Sequence, residues 1–306
     1  MRRFVLRRFL YSIVTLFFLS VTIFVLVRMS GDPARLLAGP GAQTEDVEAL
    51  RERLGLNRPY PVQYVDFVTN AIRLNFGTSF NFRVPVTDLY FSRLPNSLQL
   101  ALAAMLVSLV VGIPAGIISA VKQGTIWDRV AKVIALTGMS VPGFFVGLLL
   151  ILVFAVNLRV LPTSGQGTWQ QLLMPALALG WYFAASMVRL TQSSMLDVLG
   201  SEYIKMARLK GVPERIVIVK HAFKNALIPV VTLAGVNFVV MLNTAIIIEV
   251  IFAWPGIGRL LYEGISQRDF PLVQGNVILA GVMIIVANFL IDILYAWIDP
   301  RIRVGR

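Results

Sequence analysis

Few residues in this chain are equipped to do chemistry. Its 306 residues include no cysteine and a single histidine, His221. That removes disulfides, thiolate metal sites and a cysteine nucleophile. A lone imidazole makes a poor metal site, and His221 is assigned to packing of its loop. No Ser/His/Asp set and no paired carboxylates fall within the apolar stretches, which argues against an intramembrane protease. The phosphate-cradling pattern G-x-x-x-x-G-K-[ST] is absent, so the chain is not read as an enzyme that hydrolyses nucleotides. What remains is a set of polar side chains in apolar surroundings: Asn237, Asn243, Thr244, Asn276 and Asn288. Such groups suit either the lining of a solute passage or hydrogen bonds between helices; Asn237, Asn243, Thr244 and Asn288 are the candidates for a passage. Asp292 fits a proton relay, but its place near Asp299 and Arg301 favours a structural ion pair. Glu249, close to Trp254-Pro255, reads as a carboxylate at the water interface, within reach of an incoming amino group.

The stretch 193–228 holds the most structured polar sequence. Ser201 is placed to cap a helix starting at Glu202, and Gly211 to end it in the left-handed conformation. Pro213 then stands near the start of a second short helix. Tyr203, Met206, Ala207 and Lys210 fall on one face at helical spacing. Lys205, Arg208, Arg215, Lys220 and Lys224 surround that face. A helix–glycine–helix elbow of this kind suits docking into a groove of another protein. It equally suits a basic amphipathic segment lying on anionic lipid.

The elements that must position these residues are membrane spans. The chain is 57% hydrophobic and 14% charged, with a mean hydropathy of +0.75; soluble domains carry about 25% charged residues. Six charge-free windows each offer the roughly 20 apolar residues that cross a bilayer. They predict an all-α integral membrane protein with spans at about 9–28, 95–121, 133–157, 170–190, 227–249 and 274–296. Pro114, Pro142 and Pro175 lie in or beside them and mark candidate bends. The first window follows Arg2, Arg3, Arg7 and Arg8 like a signal peptide. It is long and lacks an A-x-A-like site, so it is read as an uncleaved span. With the N-terminus inside, the segments 1–8, 122–132, 193–228 and 299–306 carry four, three, six and three basic residues. Segments 159–168 and 252–274 on the other side carry one and two. Both termini are therefore expected in the cytoplasm, and the net charge of +12 reads as topology rather than nucleic-acid binding. The long external segment 29–96 is expected to be structured. Thr44 is its candidate cap, Glu45 and Asp46 lie in a first turn, Val47, Leu50 and Leu54 form an apolar face, and Gly55 is a stop. The organisation is then residues 1–93 as first span and external loop, and 94–298 as a five-span core containing the 193–228 loop.

Further runs recur in a recognisable order. They include Gly31-Asp32-Pro33, Leu54-Gly55-Leu56-Asn57-Arg58-Pro59, Phe76-Gly77-Thr78-Ser79, Arg93-Leu94-Pro95-Asn96-Ser97 and Gly112-Ile113-Pro114-Ala115-Gly116. Glu202–Gly211, His221–Pro229, Phe252–Gly258, Arg268–Gly275 and Asp299-Pro300-Arg301-Ile302-Arg303 follow. With these runs the chain resembles, over nearly its whole length, the membrane subunits of dipeptide/oligopeptide ABC importers. The resemblance implies a type I ABC importer permease fold in a bacterial or archaeal cytoplasmic (inner) membrane. It implies that the 193–228 loop carries the EAA-type coupling helix, with Glu202, Tyr203, Met206, Ala207, Lys210, Gly211 and Pro213 facing a cytoplasmic ATPase. Lys205 and Met206 replace the usual Glu-Ala pair, and His221 stands where the motif has Ile, which puts individual side-chain contacts in doubt. The implied partners are a paralogous permease, two ATPase subunits or domains and an extracytoplasmic solute-binding protein. ATP and Mg would sit on the ATPases, with no cofactor in this chain. The solute would be a small peptide or a relative such as glutathione, a nickel chelate, an opine or a sugar. The competing reading is an ion-gradient-driven carrier, which would need midplane charges and symmetric halves; neither is evident.

Overall fold

The structure is a computed structural model that describes residues 2–38, 41–53 and 55–298. Leu54 and the run Asp299–Arg303 lie outside the described residues. The helices are α1 Arg2–Met29, α2 Pro33–Ala38, α3 Thr44–Arg53, α4 Tyr60–Ile72, α5 Val86–Val121, α6 Ile126–Ser140 and α7 Gly143–Leu150. There follow α8 Trp169–Leu199, α9 Glu202–Leu209, α10 Glu214–Ile216, α11 Lys224–Ile251, α12 Ile257–Ser266 and α13 Phe270–Ile298. Wider π-helical turns, Ile151–Asn157 and Val217–Phe223, extend α7 and join α10 to α11. Among the described residues the only β pairing is one isolated bridge, Thr78 with Pro85.

Among the described residues, five helical stretches are long and apolar enough to cross a membrane: Arg7–Met29, Val86–Val121, Trp169–Leu199, Glu214–Ile251 and Phe270–Ile293. The window 133–157, read from sequence as one span, is instead two helices, Ile126–Ser140 and Gly143–Asn157, bent by 104°. Counted as one broken span, the pair brings the total to six. The cause is local. Pro142 has no N–H to donate and disfavours helix at the preceding residue, and Val141 is accordingly extended (φ −97°, ψ 119°). Pro175 and Pro229 lie inside α8 and α11 without ending them, and α5 runs on through Pro114.

The chain divides into two compact units. The first is Met1–Pro95 with Gly256–Phe289. Ile23 and Val27 of α1 pack there with Phe270 and Ile278 of α13, joined by Phe67, Phe76 and Phe80. Asp269 is buried and accepts hydrogen bonds from Ser79 Oγ, the Asn81 amide and the Leu272 amide. It therefore caps α13 and holds the 79–81 turn. Asn276 donates to the Ile257 carbonyl at 3.0 Å, joining α13 to α12. Thr44 is the first residue of α3 rather than its cap, since the Val47 amide bonds to the Gln43 carbonyl. The apolar face of α3 is only partly buried, with Val47 and Leu50 intermediate in exposure. An ion pair also holds α3, with Arg51 Nε 3.0 Å from Asp32 Oδ2. Burial raises the Asp32 carboxyl, but hydrogen bonds from Arg51 and the Ala34 amide, with the charges of Arg51 and Arg35, hold it below its usual pKa.

The second unit is Asn96–Pro255 with Leu290–Arg306. Its centre is α8, against which α6, α7 and α11 pack. Small residues allow the close approach: a Cβ on Gly116 would lie 2.6 Å from that of Thr191, and one on Gly138 2.5 Å from that of Ala185. Asn237 is buried and donates to Ser186 Oγ at 3.1 Å, linking α11 to α8.

Candidate functional site

Two features of the second unit can act on something outside it. The first is the elbow α9–Gly211–α10. Helix α9 starts after Ser201, which stands at the cap position (φ −73°, ψ 153°) but whose hydroxyl turns back to the Val198 carbonyl instead of capping. The helix ends in a Schellman turn: the Gly211 amide bonds to the Arg208 carbonyl and the Val212 amide to that of Ala207. Gly211 has φ +73°, which a residue with a Cβ adopts only at a cost. Pro213 then leads into α10. Arg208 grips Glu214 with two hydrogen bonds, Nε–Oε2 3.1 Å and Nη2–Oε1 2.7 Å, so the two arms are strapped across the glycine.

The elbow is bolted to the unit by one side chain that sequence reasoning passed over. Ile204 is fully buried among Ala120, Met195, Val217, Ala222 and Ala226. Ala207 packs at the edge of this cluster, so it faces inward more than the Tyr203–Met206–Lys210 pattern suggests. Tyr203 adds a polar tie: its hydroxyl accepts from Asn225 Nδ2 at 3.0 Å and donates to the His221 carbonyl. His221 thus contributes its backbone to loop packing. Met206, Lys210, Glu202 and Gly211 are exposed, with Glu202 paired to Lys205 at 2.7 Å. Leu209 is 81% exposed at the tip and was also missed. The available signal was an apolar residue three after Met206 in a run of cations.

The second feature is the break between α6 and α7. Non-helical backbone at membrane depth is tolerated where protein or a water-filled cavity satisfies it. A cavity of about 530 Å³ does open at the break. Ser140, Pro142, Phe144, Tyr182, Thr244 and Ile248 are among its lining. Of the candidate passage residues, Thr244 alone lines it, its hydroxyl bonded back to the Val240 carbonyl at 3.0 Å. Asn243 bonds to the Val239 carbonyl of its own helix and Asn237 to Ser186. Asn288 is exposed on α13 in the first unit. Tyr182 and Phe144 had no distinguishing sequence pattern.

Glu249 is 1% exposed, which corrects its reading as a residue of the water interface. It accepts from Ser97 Oγ inside a buried knot. Nearby, Asn96 bonds the Pro255 carbonyl, and the Trp254 indole N–H bonds the Asn96 carbonyl. Asp292 is half-buried. Among the described residues no group of three or more His, Asp or Glu is placed to hold a metal ion.

Residues 112–304 match the family described as binding-protein-dependent transport system inner membrane component, and residues 1–101 match its N-terminal family. The glutathione transport system permease protein GsiC of Escherichia coli (strain K12) is 43% identical over 304 residues, covering 99% of each chain. The protein of that name from Shigella dysenteriae serotype 1 is equally similar over the same coverage. Among solved structures, an inward-facing MetNI methionine ABC transporter covers 69% of this chain and 96% of its own, with TM-score 0.59 and 17% identity. An amino acid ABC transporter crystallised with histidines covers 68% and 94%, with TM-score 0.52 and 16% identity. These two support the fold.

Proposed function

Because the chain belongs to the family of binding-protein-dependent transport system inner membrane components, we propose that it is the permease subunit of an ATP-binding-cassette importer that carries glutathione or similar small peptides into the cytoplasm. The observation that carries the reading is the elbow. It is a short helix anchored by Ile204, closed by Gly211 and strapped by Arg208–Glu214, with Met206, Leu209 and Lys210 left exposed. A rigid exposed knob of this kind suits transmission of force to the helices behind it. The names of the relatives support the solute class. The same family membership removes the ion-gradient-driven carrier as an alternative.

On this reading the elbow faces the cytoplasm, with both termini, and docks into a cleft of an ATPase subunit that binds ATP and Mg. A second, paralogous permease completes the passage, and a solute-binding protein delivers peptide from outside. This chain does no hydrolysis. Closure of the ATPases moves the elbows, and α8 and α11 carry the motion to the cavity at the α6–α7 break, where solute passes Tyr182 and Thr244. Such rocking between two arrangements is alternating access.

The test is Gly211→Val in membrane vesicles holding the complete complex. Insertion is expected to be normal and ATP hydrolysis to persist, while ATP-driven uptake falls by about tenfold or more, since a strain of about 1–2 kcal/mol at φ > 0 displaces the tip. Full uptake in this variant contradicts the role of the elbow.

A further inference from the structure

A second polar site lies in the first unit, at the C-terminal end of α1. Arg28 follows the apolar run of that helix, yet it is half-buried rather than extended into water. Its Nε donates to Gln63 Oε1 at 3.0 Å, and its guanidinium lies 4.8 Å from the centre of the Phe24 ring. Gln63 is 7% exposed and is itself fixed, its Nε2 donating to the carbonyls of Leu56 and Arg58 at 2.9 and 2.7 Å. The guanidinium plane is thus set by buried partners. Its two terminal nitrogens have no acceptor among the described residues.

Arg28 lines a cavity of about 580 Å³ together with Phe67, Asn70, Asn75, Phe76 and Gln274. The side-chain nitrogen of Gln274, from α13, is buried and has no hydrogen-bond partner. Buried donors without acceptors are rare and point to a missing ligand or solvent. The lining also carries Arg53, Arg58, Glu52 and Asp66. Asp66 is already paired with Arg58 at 3.1 Å, which leaves the site net cationic. An oriented guanidinium fork beside an unsatisfied amide donor suits a tetrahedral oxyanion.

Helix α4 fixes the depth of the site. Tyr64 and Phe67 pack on α1, the Tyr64 hydroxyl 2.8 Å from Ser20 Oγ and the Tyr64 ring 5.5 Å from that of Phe24. Another flank carries Val65, Val68 and Ile72 at helical spacing, with Val65 61% and Ile72 78% exposed. Phe17 of α1, itself exposed, meets the Tyr64 ring edge-on at 6.4 Å, and the neighbouring Phe18 is also exposed. An exposed apolar flank opposite Gln63, Asp66 and Asn70 suits an interfacial amphipathic helix, which would set the cavity on its polar side at headgroup level.

We propose that this cavity binds the phosphodiester of a membrane phospholipid, with the Arg28 guanidinium and the Gln274 amide as its donors. A soluble phosphate offers the same chemistry, and the test separates the two sources. Full-length protein, stripped of lipid in mild detergent, is titrated with dioctanoyl phosphatidylglycerol and, separately, with inorganic phosphate. Thermal shift gives the affinity and native mass spectrometry the stoichiometry; dioctanoylglycerol, which lacks the phosphate, is the control. The expected result is one saturable phosphatidylglycerol, no effect of dioctanoylglycerol, and affinity about tenfold weaker or worse in Arg28→Gln. Gln274→Leu leaves the Arg28–Gln63 bond intact and is expected to weaken binding about threefold or more, so the site stays testable if Arg28→Gln fails to fold. Arg28-dependent binding of inorganic phosphate alone overturns the lipid source and assigns the site to soluble phosphate. Equal affinity in the parent and both variants overturns the site.

Discussion

At Gly211 and Ile204, the proposed coupling role rests on opposite physical causes. Gly211 has open space around its Cβ position, so a substitution there is felt through its φ of +73° and not through a clash. Uptake should therefore fall in the order Gly211→Asn, Gly211→Ala, Gly211→Val, because Asn tolerates the left-handed region and β-branched residues do not. Ile204 is felt through packing. Ile204→Ala should destabilise the elbow by about 2–4 kcal/mol, read as faster amide exchange in α9 with little change in α8. An equal loss of protection along α8 would contradict the anchoring role. The sequence shows the Tyr203–Met206–Lys210 face, but periodicity alone does not say which face of a short helix turns inward. Ile204 is buried because Ala120, Met195 and Val217 meet it from outside its own helix, Ala120 from far away in the chain. The partner of Asn237, 51 residues away, is hidden for the same reason, whereas the Gly211 turn is local and legible.

The spans are the most legible elements, because hydrocarbon excludes charge along one continuous stretch of chain. The α6–α7 break is less so. Pro142 splits its span while Pro114, Pro175 and Pro229 do not. The outcome depends on whether neighbours can satisfy the freed backbone groups. Gly143 adds a reason for the break to stay where it is: a Cβ there would lie 2.8 Å from the Ala178 carbonyl oxygen. Gly143→Leu should push α7 from α8, distort the cavity and reduce uptake with assembly retained; parent-like uptake would separate the break from the passage. In the first unit, an ion pair adds to the partial packing of α3, so its tether responds to pH. The Asp32 carboxyl is depressed in the folded state. Its contribution is complete above the unfolded pKa of about 3.9 and is lost as pH falls through the lower folded value. The distance between spin labels at Met29 and Ala49 should hold from pH 8 to 5 and lengthen below about pH 4. Lengthening near neutrality would contradict the Asp32–Arg51 tether.

For the whole molecule, the division of labour follows from what the chain lacks and what it exposes. It has no phosphate-binding loop. On the proposed reading energy enters by contact with an ATPase, and the elbow is a structured, exposed feature of the second unit suited to that contact. On the proposed reading, solute choice rests largely with the delivering protein. The absence of cysteine gives the most direct test. Leu209→Cys, at the exposed tip, would be the sole thiol of the chain in the complete complex, and a short bifunctional crosslinker would be applied to native membranes. The account predicts a covalent adduct with an ATPase subunit whose yield changes when ATP is added. A Leu209→Cys protein that inserts and transports normally, yet yields no ATPase adduct with or without ATP, would contradict it.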